Sequence, residues 1–78
     1  MNYKFERIQP TKNMYRFYEL QVDQDLLGDW VLVRRWGRIG SFGRVAREAY
    51  QSRDNAIGAA LTLKSAKEKR GYSVTDKF

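Results

Sequence analysis

The chain contains no cysteine and no histidine. Without cysteine there is no disulfide framework, no thiolate nucleophile and no thiolate-ligated zinc. Without histidine there is no imidazole base, no Ser-His-Asp triad and no His-ligated metal. Proline occurs once, as Pro10, and no Gly- or Ser-rich tract marks a linker. Aliphatic runs stop at three residues, as in Val31-Leu32-Val33, so no stretch is long enough to cross a bilayer, and the N-terminus carries no hydrophobic signal segment. A soluble, cytoplasmic protein is expected, without membrane, metal or cofactor. The nine Asp and Glu are scattered beside basic or turn residues with no visible acid dyad, which argues against an enzyme. An enzyme working through carboxylates brought together by folding stays as a minor alternative.

What is present is basic and aromatic. Fifteen Lys and Arg against nine Asp and Glu leave a net charge of +6, and an apolar share of 42% with 14% aromatic is too high for a disordered tail. Seventy-eight residues hold one domain, residues 1–78, with a small, aromatic-heavy core.

Period-2 alternation from Tyr3 to Ile8 reads as a strand, followed by the turn-like Gln9-Pro10-Thr11-Lys12-Asn13. A second strand runs from Met14 to Val22, with Met14, Tyr18, Leu20 and Val22 on one face and Tyr15 and Phe17 on the other. Acidic residues and Gly28 turn the chain into a third strand that starts at Trp30, read as core, and carries Arg34, Arg35, Trp36, Gly37 and Arg38. Gly40 and Gly43 reverse it into a fourth, Arg44 to Tyr50. Ser52 is the expected N-cap of a helix reaching Arg70, with Gly71 as its left-handed cap. Its apolar stripe is read from two overlapping sets, Ile57, Ala60 and Leu61 with the Lys64 stem, and Ala56, Ala59 or Ala60, Leu63 and Ala66. The prediction is an α+β fold: an antiparallel sheet of about four strands backed by one C-terminal α-helix. The sequence leaves Ser73 to Phe78 open between fraying and docking.

Five arginines, Arg34, Arg35, Arg38, Arg44 and Arg47, lie in a segment free of acidic residues up to Glu48, together with Trp36 and Phe42. Guanidinium forks suit phosphate oxygens and a flat ring suits a sugar or base. Trp36 and Arg38, two apart on a strand, leave the same face, as does Arg34; Gly37 points the other way and marks a bulge or a close approach of another backbone. A solvated sheet face is the plain counter-reading of such a strand. Phe42 is open between an exposed anchor and a ring folded back on the sheet. The glycines at 37, 40 and 43 do not have dinucleotide-fold spacing. Lys64, Lys67, Lys69 and Arg70 are read as a complement to the helix dipole.

Around Trp36-Gly37-Arg38-Ile39-Gly40 the sequence resembles the WGR domain family. The likeness extends through Asn13-Met14-Tyr15-Arg16-Phe17-Tyr18, Leu27-Gly28-Asp29-Trp30, Leu32-Val33-Arg34, Ala56 and Lys69-Arg70-Gly71-Tyr72. In the DNA-damage-activated poly(ADP-ribose) polymerases this domain is an accessory that binds DNA at strand breaks. Its tryptophan packs on a terminal sugar and its arginine engages the break. The resemblance implies those roles for Trp36 and Arg38. It also implies a bacterial-type domain related to DNA repair, for compact bacterial versions share the residues seen here as Asn13 and Arg16. No catalytic, zinc-finger or regulatory domain accompanies the motif, so ADP-ribosylation does not carry over. The expected partner is DNA, contacted by Trp36, Gly37, Arg38, Arg34, Arg16, Asn13 and Arg44. The alternative is a protein partner held by Trp36, Arg38 and Phe42, and a monomer is expected in either case.

Overall fold

The computed structural model describes residues 1–77. Five strands form one antiparallel sheet in the order β4-β3-β2-β1-β5: β1 Asn2–Gln9, β2 Met14–Gln24, β3 Trp30–Arg38, β4 Arg44–Tyr50 and β5 Ser73–Lys77. A single helix, α1 Arg53–Lys69, covers one face. The α+β class holds, with one correction: the sheet has five strands rather than about four. Ser73–Lys77 docks antiparallel on β1, pairing Val74 with Phe5 and Lys77 with Tyr3 through a register shift. Short, polar and uniformly exposed, this segment shows no alternation, so its pairing is set by the free β1 edge rather than by an apolar pattern. Phe78 lies outside the described residues.

Alternation decides which side chains meet the helix. Tyr3 and Phe5 from β1, Tyr18, Leu20 and Val22 from β2, and Leu32 from β3 are buried with Ala56 and Ala60 of α1. Phe5, Leu20 and Leu32 are the largest fully buried side chains. Each contributes roughly 1.5–3 kcal/mol by leaving water. The two alanines lack the bulk to hold the helix off, so α1 lies close on β2 and β3. Ser52 Oγ accepts a hydrogen bond from the Asn55 amide at 3.1 Å, capping the helix as expected. The buried stripe is Ala56 and Ala60, flanked by half-buried Ile57, Ala59 and Leu63; Leu61 and Ala66, expected on it, face solvent. Trp30 is half-buried against the core rather than inside it.

Connections place the functional end. After Pro10 a single 3-10 turn leads to Asn13, which sits in the left-handed region at φ 52, a conformation Asn tolerates better than most residues. At the far end of α1 the amides of Gly71 and Tyr72 donate to the carbonyls of Glu68 and Lys67, a Schellman closure with Gly71 at φ 93. That closure turns Tyr72 back under the last helical turn. No helix among the described residues is long and apolar enough to cross a membrane.

Candidate functional site

Past the end of the packed core, the helix-side face of the sheet opens into a cavity of about 430 Å³. Tyr18, Trp36 and Tyr72 supply its aromatic surface, and Arg16, Arg38 and Lys67 its cations; Asn13 and Gly37 complete the lining. Register explains the assembly. Tyr18 stands opposite Trp36 across β2 and β3, and Arg16 opposite Arg38. The Tyr18 and Trp36 rings stack with centroids 6.3 Å apart and planes at 29°, while Tyr72 meets Tyr18 edge-on at 6.3 Å. Trp36 is thus supported from behind and only half-buried, with ring surface left on the cavity.

The charges are unbalanced. Directly opposed Arg16 and Arg38 repel, an arrangement that costs stability in a sheet. Arg38 is tethered by long hydrogen bonds of 3.4 Å to the carbonyl and side-chain oxygens of Asn13, and its guanidinium lies 5.3 Å from the Tyr15 ring centroid. Lys67 places its ammonium 4.4 Å from the Tyr18 centroid and 5.4 Å from that of Tyr72. Burial holds the Lys67 ammonium below the ordinary lysine range, and nearby Arg70, Arg34 and Arg16 add to the effect. Burial pushes the Tyr18 hydroxyl up, partly offset by Arg34. Among the described residues no carboxylate pairs with Arg16, Arg38 or Lys67, and no carboxylate is buried.

Arg34 belongs to the same face but to another role. It ion-pairs with Glu48 at 3.1 Å and lies 5.6 Å over the Trp36 ring, so it backs Trp36 rather than lining the cavity. Its Nε is buried without a hydrogen-bond partner. Arg44 stands opposite Trp36 on the edge strand β4, exposed and outside the lining. Gly37 is there for space: a β-carbon would come within 2.8 Å of the Gly43 Cα. The close backbone approach expected at Gly37 is therefore the return of the Gly40–Gly43 turn. Sequence reasoning assigned no site role to Tyr18, Tyr72 or Lys67. The helix stripe carried the missed signal, for positions 56, 60 and 63 are followed at 67 by a lysine where a core side chain would continue the pattern.

The opposite face is organised differently. Arg35 donates to both carboxylate oxygens of Glu19, at 3.1 and 2.8 Å, and to the Phe42 carbonyl at 2.8 Å. Its guanidinium lies between Phe17 and Phe42, 4.9 and 5.1 Å from their centroids. This settles Phe42 as a largely exposed ring held over the sheet by Arg35. A smaller cavity there, about 200 Å³, is lined by Lys4, Glu19, Arg35 and Arg47, with Glu19 ion-paired to both Lys4 and Arg35.

The fold is a small α+β domain: an antiparallel sheet with one covering helix and an aromatic, cationic recess where the helix ends. The family model of the WGR domain matches residues 1–78, and the chain belongs to that family. It is 39% identical over 67 residues to the uncharacterized protein y4dW of Sinorhizobium fredii (strain NBRC 101917 / NGR234), a match covering 86% of this chain and 33% of that protein. The chain thus spans about a third of the length of that relative. No solved structure matches it.

Proposed function

We propose that the domain binds nucleic acid, DNA foremost, at an end, nick or other discontinuity. What carries this reading is the unbalanced basin: a supported indole edged by Arg16 and Arg38, with no carboxylate among the described residues to answer them. An intact duplex hides its sugar and base faces within the stack and grooves, whereas a terminus leaves one exposed for Trp36. Arg38 and Arg16 then take adjacent phosphates, which relieves their mutual repulsion. Arg34 braces the ring, Arg44 extends the positive edge, Asn13 aims Arg38 and Gly37 keeps the turn close. The nucleic-acid binding of the WGR domain in poly(ADP-ribose) polymerases supports the same reading. On it, the domain is a monomer that binds rather than catalyses, one terminus to each basin, in DNA repair within a bacterial cytoplasm.

Fluorescence anisotropy of ended against covalently closed DNA tests it. With about four phosphates neutralised, log affinity falls against log salt with a slope of about −3.6. Trp36→Ala weakens binding to ends by about 1–3 kcal/mol. Equal affinity for closed and ended DNA, untouched by Trp36→Ala, overturns the proposal. Capture of an acidic protein partner after nuclease treatment replaces it with the protein-partner reading.

A further inference from the structure

The last turn of α1 points into the basin with a residue that the sheet-borne motif does not include. Positions 56, 60, 63 and 67 form one stripe along the helix, apolar until its final member. Lys67 therefore occupies the place of a core side chain, its stem over the sheet and its ammonium against the faces of Tyr18 and Tyr72. The groups that face it are almost all cationic or neutral: Arg16 and Tyr18 from β2, Arg34, Trp36 and Arg38 from β3, Arg70 from its own helix and Tyr72 beyond it. The nearby carboxylates are committed elsewhere, Glu48 to Arg34 and Glu68 to Lys64 at 3.1 Å each. A dipole complement does not need this geometry, since Lys69 and Arg70 put positive charge at the same end of the helix from exposed positions.

We infer that Lys67 is a phosphate-binding residue of the basin, closing on the bound oxyanion from the helix side while Arg16 and Arg38 hold it from the sheet. This inference rests on the nucleic-acid reading and deepens it: recognition spans both layers of the fold, and the anion joins α1 to β2 and β3. Its consequence is a proton-linked affinity. The ammonium is depressed in the free protein by burial and neighbouring cations, and a phosphate restores it. Binding then takes up protons on the alkaline side of neutrality, and affinity falls as pH rises.

The test is anisotropy with a DNA duplex bearing a terminal phosphate, carried out against salt and against pH. Lys67→Met keeps the stem and lowers the steepness of the salt dependence by about 0.9, one contact's worth. Lys67→Arg restores the slope and removes the fall in affinity as pH rises above neutrality, read below the ordinary tyrosine value of about 10. A purely structural lysine changes neither the slope nor the pH profile. A parallel NMR titration follows the Lys67 side-chain carbons against pH with and without inorganic phosphate. Duplex binding with an unchanged slope in Lys67→Met overturns this inference and leaves the parent reading standing. No duplex binding, with phosphate still raising the Lys67 titration, sinks the parent reading and keeps Lys67 as an anion site. Failure of both overturns both.

Discussion

Leu32 and Trp36 leave β3 on the same face, four residues apart, yet Leu32 is fully buried and Trp36 borders a cavity. The same contrast runs along β2, where Leu20 is sealed and Arg16 exposed, and along α1, where Ala60 gives way to Lys67. One continuous sheet surface is therefore a dry core at one end and a wet, cationic recess at the other. Tyr18 is the partition. Its ring, 3% exposed, touches Phe5 on the dry side and Trp36 and Tyr72 on the wet side. Alternation alone does not separate a core from a binding site; the chemical type of successive residues on one parity does.

The largest effect comes from breaking the dry end. Phe5→Ala removes a fully buried ring that does not itself line the recess and costs about 3–5 kcal/mol of stability, measured by urea denaturation. That is a large fraction of the roughly 5–15 kcal/mol typical of a folded domain. Binding is lost only as the folded population is lost, so ligand in excess restores both together. Trp36→Ala is the complementary case: affinity falls by the amount given above while the urea midpoint moves less than in Phe5→Ala, because Trp36 is only half-buried.

A smaller effect separates support from contact. Gly37→Ala adds one methyl on the side away from the recess, against the backbone of Gly43, which is itself at φ 80. The turn must shift and Arg38 with it, since the Ser41 amide and hydroxyl both bond the Arg38 carbonyl. A cost of about 1–3 kcal/mol in stability is expected, with a loss of affinity that removing a neighbouring exposed charge such as Arg47 does not reproduce. Arg47 belongs to the other parity of β4 and faces away from Trp36.

The dry end was legible because its residues obey period 2 and period 3.6 together: Tyr3, Phe5, Leu20 and Leu32 on alternating positions, Ala56 and Ala60 a helical turn apart. The sheet side of the recess was legible too, since Trp36 and Arg38 break the apolar run on one strand with two side chains of matched function. Three things were not. The fifth strand has no pattern of its own and is fixed by the edge it covers. Tyr18 reads as core by parity, and only the cross-strand register puts it behind Trp36. Lys67 and Tyr72 lie 49 and 54 residues from Tyr18 in the chain; packing of α1 on the sheet brings the first to it and the Schellman closure the second. For Tyr72 that proximity leaves no local trace, and for Lys67 only the break in the helix stripe.

The smallest predicted effect tests whether the wet end is held at a cost to the fold. The fully buried residues of the dry end, Phe5, Leu20, Leu32, Ala56 and Ala60, do not titrate, and the alkaline shifts fall on Lys67 and Tyr18 of the recess, with Tyr50 at the end of β4 shifted in the same sense as Tyr18. Lys67 is held below its unfolded value, so in the interval between the two values the unfolded chain binds more protons. Stability of the free domain therefore rises as pH rises through the folded Lys67 titration, and the rise is complete above about 10.4. Tyr18 acts in the opposite sense: its raised value gives stability that is present below about pH 10 and lost as pH climbs through the folded value. Urea midpoints measured from neutral pH upward should first increase, then fall. In Lys67→Met the early increase disappears while the later fall remains. A wild-type midpoint that is flat up to the tyrosine range would mean that neither burial nor neighbouring cations penalise the Lys67 ammonium in the free protein, and that the two ends of the sheet differ in packing but not in electrostatic strain.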